Sequence, residues 1–116
     1  MRIDEEMRAA LPVAMKARDR LTVGVLRSTL AAIDNASAIE PVDEPGSLAI
    51  EQIAIGAGAT EAPRRELRAQ DIEAVVRDEA GARLAAAQEY EQAGRSDRAD
   101  ALRAEAAVLE GFLQKD

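Results

Sequence analysis

Glu79 and Arg83 stand four residues apart in a chain that contains neither histidine nor cysteine. On a helix that spacing brings a carboxylate and a guanidinium together on one face. Ile72, Val76 and Tyr90 fall near the same face, and charge placed inward is tolerated only when paired and hydrogen-bonded. Glu105, set between Leu102 and Leu109, makes the same demand on a later helix. The expectation is a structural polar network of Arg27, Glu79, Arg83 and Glu105 that organises the fold. Displaced into a cleft, the same groups would form a binding or acid–base site.

Other chemistry is poorly supplied. Without histidine or cysteine the usual general base, the reactive thiol and the commonest transition-metal ligands are missing. The serines and threonines have no imidazole to activate them, and none lies in a Gly-x-Ser-x-Gly elbow. Ile53-Ala54-Ile55-Gly56-Ala57-Gly58 has the look of a strand entering a phosphate loop. Glu61 occupies the place of the third glycine, however, and a carboxylate there repels a pyrophosphate. The acidic pairs Asp71/Glu73 and Asp78/Glu79 offer oxygens to Mg²⁺, but nothing orders the remainder of a site. The expectation is therefore no catalytic residue, no metal and no cofactor.

Arg64, Arg65 and Arg68 form the densest basic cluster, at the mouth of a helix. There the positive end of the dipole adds to their charge, so they are the candidate anion- or RNA-binding residues. Against broad nucleic-acid binding stands a formal charge of −7, from 22 acidic and 15 basic residues.

Four helices must position these groups. One runs from about Asp4 to Ala17, with Ile3, Met7, Leu11 and Met15 as its stripe, Ala10 and Ala14 beside it, and a kink expected at Pro12. Asp19 caps a second, Arg20 to Ser37, with Val23, Leu26, Leu30 and Ile33 inward and Val25 and Thr29 flanking. Gly24 in its interior suggests close approach of another helix. A third starts near Gln70 or Asp71 and runs to Ala93, burying Ile72, Val75, Val76, Ala86, Ala87 and Tyr90, and stops at Gly94. Ser96 or Asp97 caps the fourth, which reaches Leu113 with Ala99, Leu102, Ala106, Leu109 and Leu113 inward. So short a turn makes the last two helices antiparallel neighbours.

Prolines and glycines break the pattern from Ile39 to Glu66, which reads as a long irregular loop. The fold class expected is an all-α, single-domain bundle of four main helices with that loop between helices two and three. At 116 residues, with one Phe, one Tyr and no Trp, its core must be built from small aliphatic side chains. No window approaches ~18 consecutive apolar residues, and Met1 to Glu6 has no leader character. A cytoplasmic protein that avoids membranes is expected.

Ala14-Met15-Lys16-Ala17-Arg18-Asp19, then Leu26-Arg27 and Ala31-Ala32-Ile33-Asp34-Asn35, resemble the opening helices of one family. It joins YqeY-like proteins to the tail domain of the aspartyl/glutamyl-tRNA amidotransferase B subunit. Tyr90-Glu91, Ala93-Gly94-Arg95, Ala99, Glu105-Ala106, Val108-Leu109 and Phe112-Leu113 resemble the same family. The likeness covers the chain except its middle loop, which is longer than in compact members. Family members carry a Ser or Thr cap where this chain has Arg68, and a Tyr-Leu-Pro-like helix end where it has Phe112-Leu113-Gln114. The family then continues into a second helical subdomain, which this sequence is expected to lack. The resemblance implies a non-catalytic accessory module linked to tRNA-dependent amidation or translation, with a protein or a tRNA as partner. It also leaves two alternatives: a tRNA- or RNA-binding module using a basic patch, or a component associated with glutamine-dependent carbon–nitrogen ligase activity. The amidotransferase's catalytic residues lie outside the tail, so the resemblance carries over no active site.

Overall fold

The computed structural model describes residues 1–38 and 66–114. It is an all-α, single-domain bundle whose elements are α1 (Ile3–Lys16), α2 (Arg20–Ser37), α3 (Ala69–Gln92) and α4 (Ser96–Leu113). The irregular connection expected over residues 39–66 lies outside the described residues, apart from Glu66.

Two antiparallel hairpins make up the bundle, α1 with α2 and α3 with α4. Each turns by the same device. At the end of α3, Gly94 takes φ +80°; its N–H donates to the Glu91 carbonyl, and the N–H of Arg95 donates to that of Tyr90. These paired bonds close the open carbonyls of a helix end and require a left-handed residue, for which glycine is the usual choice. The end of α1 repeats them, Arg18 donating to Met15 and Asp19 to Ala14, but Arg18 itself takes the left-handed position, at φ 59°. Because Arg95 closes α3 and also stands at the N-cap of α4, that helix begins at Ser96, with neither Ser96 nor Asp97 as its cap.

Met7, Leu26, Ile72, Val76 and Leu109 form the centre of the core, where the two hairpins meet. A smaller cluster of Ala87, Ala99 and Leu102 lies further along α3 and α4. The inward stripes are close to those expected, with three corrections. On α2 the expected flanks Val25 and Thr29 are buried, whereas Val23 is half-buried and outside the core cluster. Met15 is 48% exposed, whereas Ala14 is buried. A stripe stepped by four residues drifts by about 40° per step, so by Met15 it has turned about 120° from Ile3. Tyr90 is 37% exposed and carries the Arg98 guanidinium 5.8 Å above its ring. It stands near the far turn of the α3–α4 hairpin, beyond the main core.

α1 runs unbroken through Pro12, which is exposed. Gly24 has no neighbour crowding it: a Cβ built there would meet nothing within 4 Å, so close helix approach does not explain it.

Asp19 caps α2 by accepting from the Thr22 N–H at 3.2 Å and the Thr22 hydroxyl at 2.7 Å. The Thr22 hydroxyl, and then its N–H, hold the Asp19 carboxyl below the usual carboxylate range. A carboxylate whose folded pKa is lowered contributes stability above its unfolded pKa, about 3.9, and loses it as the pH falls through its folded pKa. The first turn of α2 should therefore fray in acid in the native chain, and Asp19→Asn should shrink that acid-dependent fraying, both read by amide exchange at Thr22 and Val23.

Thr29 is fully buried and its hydroxyl has no hydrogen-bond partner among the described residues. An unsatisfied buried hydroxyl destabilises by roughly 1–3 kcal/mol. Thr29→Val, similar in shape, should stabilise the protein by about 1 kcal/mol in urea titration; a loss of stability would show that the hydroxyl is satisfied.

Candidate functional site

Arg83 is the most fully engaged polar side chain described, at 13% side-chain exposure. Its Nη1 donates to the Glu79 carboxylate at 3.1 Å and to the Glu79 carbonyl at 3.0 Å. Its Nε donates to Glu105 on α4 at 3.0 Å. Its Nη2 donates to the Ser28 hydroxyl on α2 at 2.8 Å, and that hydroxyl donates in turn to the Val25 carbonyl at 3.2 Å. One guanidinium thus joins three helices, with two partly buried carboxylates sharing its charge.

Arg27 is not in this network. It is exposed, with Nη2 3.8 Å from the Met15 sulfur. One residue along a helix turns about 100° around the axis, so Ser28 faces Arg83 while Arg27 faces the α1–α2 turn. Nothing in the sequence marks Ser28 as a partner.

Of the basic cluster, only Arg68 is described; Arg64 and Arg65 lie outside the described residues. Arg68 occupies the N-cap position of α3. Its N–H donates to Asp71 at 3.0 Å, and its Nε lies 3.7 Å from the same carboxylate. An arginine side chain has no acceptor, so it cannot cap the helix as a Ser or Thr would. The acidic pairs are also engaged, since Glu73 pairs with Arg77 at 3.0 Å and Glu79 with Arg83. Among the described residues no group of three carboxylates is placed to hold a metal ion.

A second ionic cluster escaped sequence reasoning. Asp4, in the first turn of α1, is 3% exposed. Its Oδ2 accepts from Arg2 at 3.1 Å and Arg8 at 3.0 Å. Arg8 also reaches Asp34 at 3.5 Å, and Arg2 the Leu67 carbonyl at 3.4 Å. These groups line a polar cleft of ≈ 230 Å³ where α1, α2 and the entrance to α3 converge. The other oxygen of Asp4 is buried without a partner among the described residues. A first-turn aspartate ordinarily serves the helix dipole from the surface, so its type and place gave no sign of burial.

A family model for YqeY-like proteins matches residues 47–116. The chain belongs to the YqeY-like family. The matched stretch contains α3 and α4 with Glu79, Arg83 and Glu105, and so most of the polar network; Ser28 on α2 lies outside it. The motifs at residues 14–35 also lie outside the match. No curated protein is similar to the chain. Among the described residues no helix is long and apolar enough to cross a membrane.

Proposed function

We propose that this YqeY-like chain is a non-catalytic binding or accessory module of the cytoplasm, acting beside tRNA-dependent amidation or translation. The observation that carries this reading is the state of Arg83. It is bonded to Glu79, Glu105 and Ser28 together, so most of its donors are engaged in holding three helices. A guanidinium so committed, facing two carboxylates, organises the bundle and is poorly placed to receive a substrate's charge. Arg68 keeps 76% side-chain exposure with its Nε 3.7 Å from Asp71, so its charge is partly offset by its own helix.

Affinity purification from the native cell, with and without RNase, tests the reading. Stable recovery of a protein partner that survives RNase supports it, and amidotransferase subunits among the partners would place the chain beside a carbon–nitrogen ligase. RNase-sensitive recovery of tRNA alone would favour the RNA-binding alternative through Arg64, Arg65 and Arg68, and would overturn the proposal.

A further inference from the structure

Basic side chains over most of the described surface are neutralised. Arg8 pairs with Asp4 and Asp34, Arg77 with Glu73 and Arg103 with Glu91 and Asp100, while Arg98 covers Tyr90. The turn between α1 and α2 is different. Among the described residues no carboxylate lies within ion-pair distance of Lys16, Arg18, Arg20 or Arg27. The one local acid, Asp19, is turned to Thr22 as the cap of α2. Unpaired positive charge is thus concentrated at one end of a chain whose net charge is −7.

These arginines surround an apolar floor. Met15, Val23 and the bare backbone of Gly24 line an open groove of ≈ 600 Å³ together with Arg18, Arg20 and Arg27. Met15, on the floor of the groove, is 48% exposed. The absent side chain at Gly24 keeps the groove open, a use for a glycine that costs its helix on the order of 1 kcal/mol.

Arg18 adds a separate observation. Its left-handed backbone is unfavourable for any residue with a Cβ, by roughly 1–2 kcal/mol. The same turn motif at the end of α3 uses Gly94, so the fold alone would be better served by glycine here. Strain kept at a position where a compatible residue removes it points to a use for the side chain.

We infer that this elbow is a docking surface for an acidic, amphipathic segment of a partner protein; the inference rests on the reading of the chain as a binding module. Apolar side chains of the segment fill the floor over Met15, Val23 and Gly24, and its carboxylates meet Arg18, Arg20 and Arg27. Arginine suits this because its planar fork binds carboxylates in two-point fashion. Single-stranded nucleic acid fits less well, since such binding relies on aromatic stacking platforms and the groove has none.

Selection of random 16-residue peptides displayed on phage against the full chain tests this. Enriched peptides should combine Asp or Glu with Leu, Ile or Met at helical spacing. They should shift the amide resonances of residues 13–27 in the ¹⁵N-labelled chain, and should bind Arg20→Glu/Arg27→Glu at least tenfold more weakly. Both arginines are exposed, so that variant should keep the native melting temperature, and Arg18→Gly should weaken binding while melting higher. Failure to enrich such peptides, shifts confined to other residues, or undiminished binding to the charge-reversed variant would overturn the inference. So would a 20-nucleotide oligouridine that competes for the same resonances. RNase-resistant partner capture that survives charge reversal would remove the elbow alone and leave the binding-module reading standing.

Discussion

Leu109→Ala should lower the free energy of unfolding by about 2–5 kcal/mol. Leu109 is fully buried on α4 and belongs to the core cluster with Met7, Leu26, Ile72 and Val76, drawn from α1, α2 and α3. Truncation there removes contacts with three helices at once. The core also has little capacity to refill the space, because its only aromatic neighbour, Phe112, is already packed against it. Urea titration measures the loss directly, and a value under ~0.5 kcal/mol would mean that Leu109 faces solvent.

Arg83→Met should cost about 2–3 kcal/mol. Breaking a fully buried ion pair from one side costs roughly 3–5 kcal/mol, and the figure is reduced here because Glu79 and Glu105 keep 32% and 24% side-chain exposure. The penalty arises from the survivors: two carboxylates are left beside each other with neither cation nor Ser28 bridge. If so, Glu79→Gln and Glu105→Gln added to Arg83→Met should recover much of the loss. A double-mutant cycle between Arg83 and Glu105 should then show a coupling energy well above that of an exposed pair, which is typically ~0.2–1 kcal/mol. Equal melting temperatures for the native chain and Arg83→Met would place the network in solvent.

The helices were legible because their information is local and periodic. Leu102, Ala106 and Leu109 recur at helical spacing, and Asp19 and Gly94 mark ends by chemistry that acts within a few residues. What was hidden depends on rotation and on partners distant in sequence. Arg27 and Ser28 differ by one step, and only the docking of α2 on α3 decides which of them meets Arg83. Asp4 is buried through Arg2, Arg8 and the approach of Leu67, 63 residues away in sequence. Met15 left the expected stripe because a four-residue step overshoots the helical turn, and the same drift places it in the elbow groove. The left-handed backbone of Arg18 gave no local warning, since nothing in an arginine suggests a turn residue. The groove is therefore composed largely of positions whose pattern pointed elsewhere: Met15 and Val23 to the inward stripes, Gly24 to a helix contact and Arg27 to the polar network.

On the proposed function, this chain recognises a partner while its buried charges are committed to the fold. The most direct test is partner capture from the native cell by the triple variant Glu79→Gln/Arg83→Met/Glu105→Gln, with its helical content and melting curve measured alongside. The variant should fold and recover the same RNase-resistant partners at the same yield as the native chain. A variant that folds normally and has lost those partners would contradict that expectation, and would make the Arg83 network part of the recognition site.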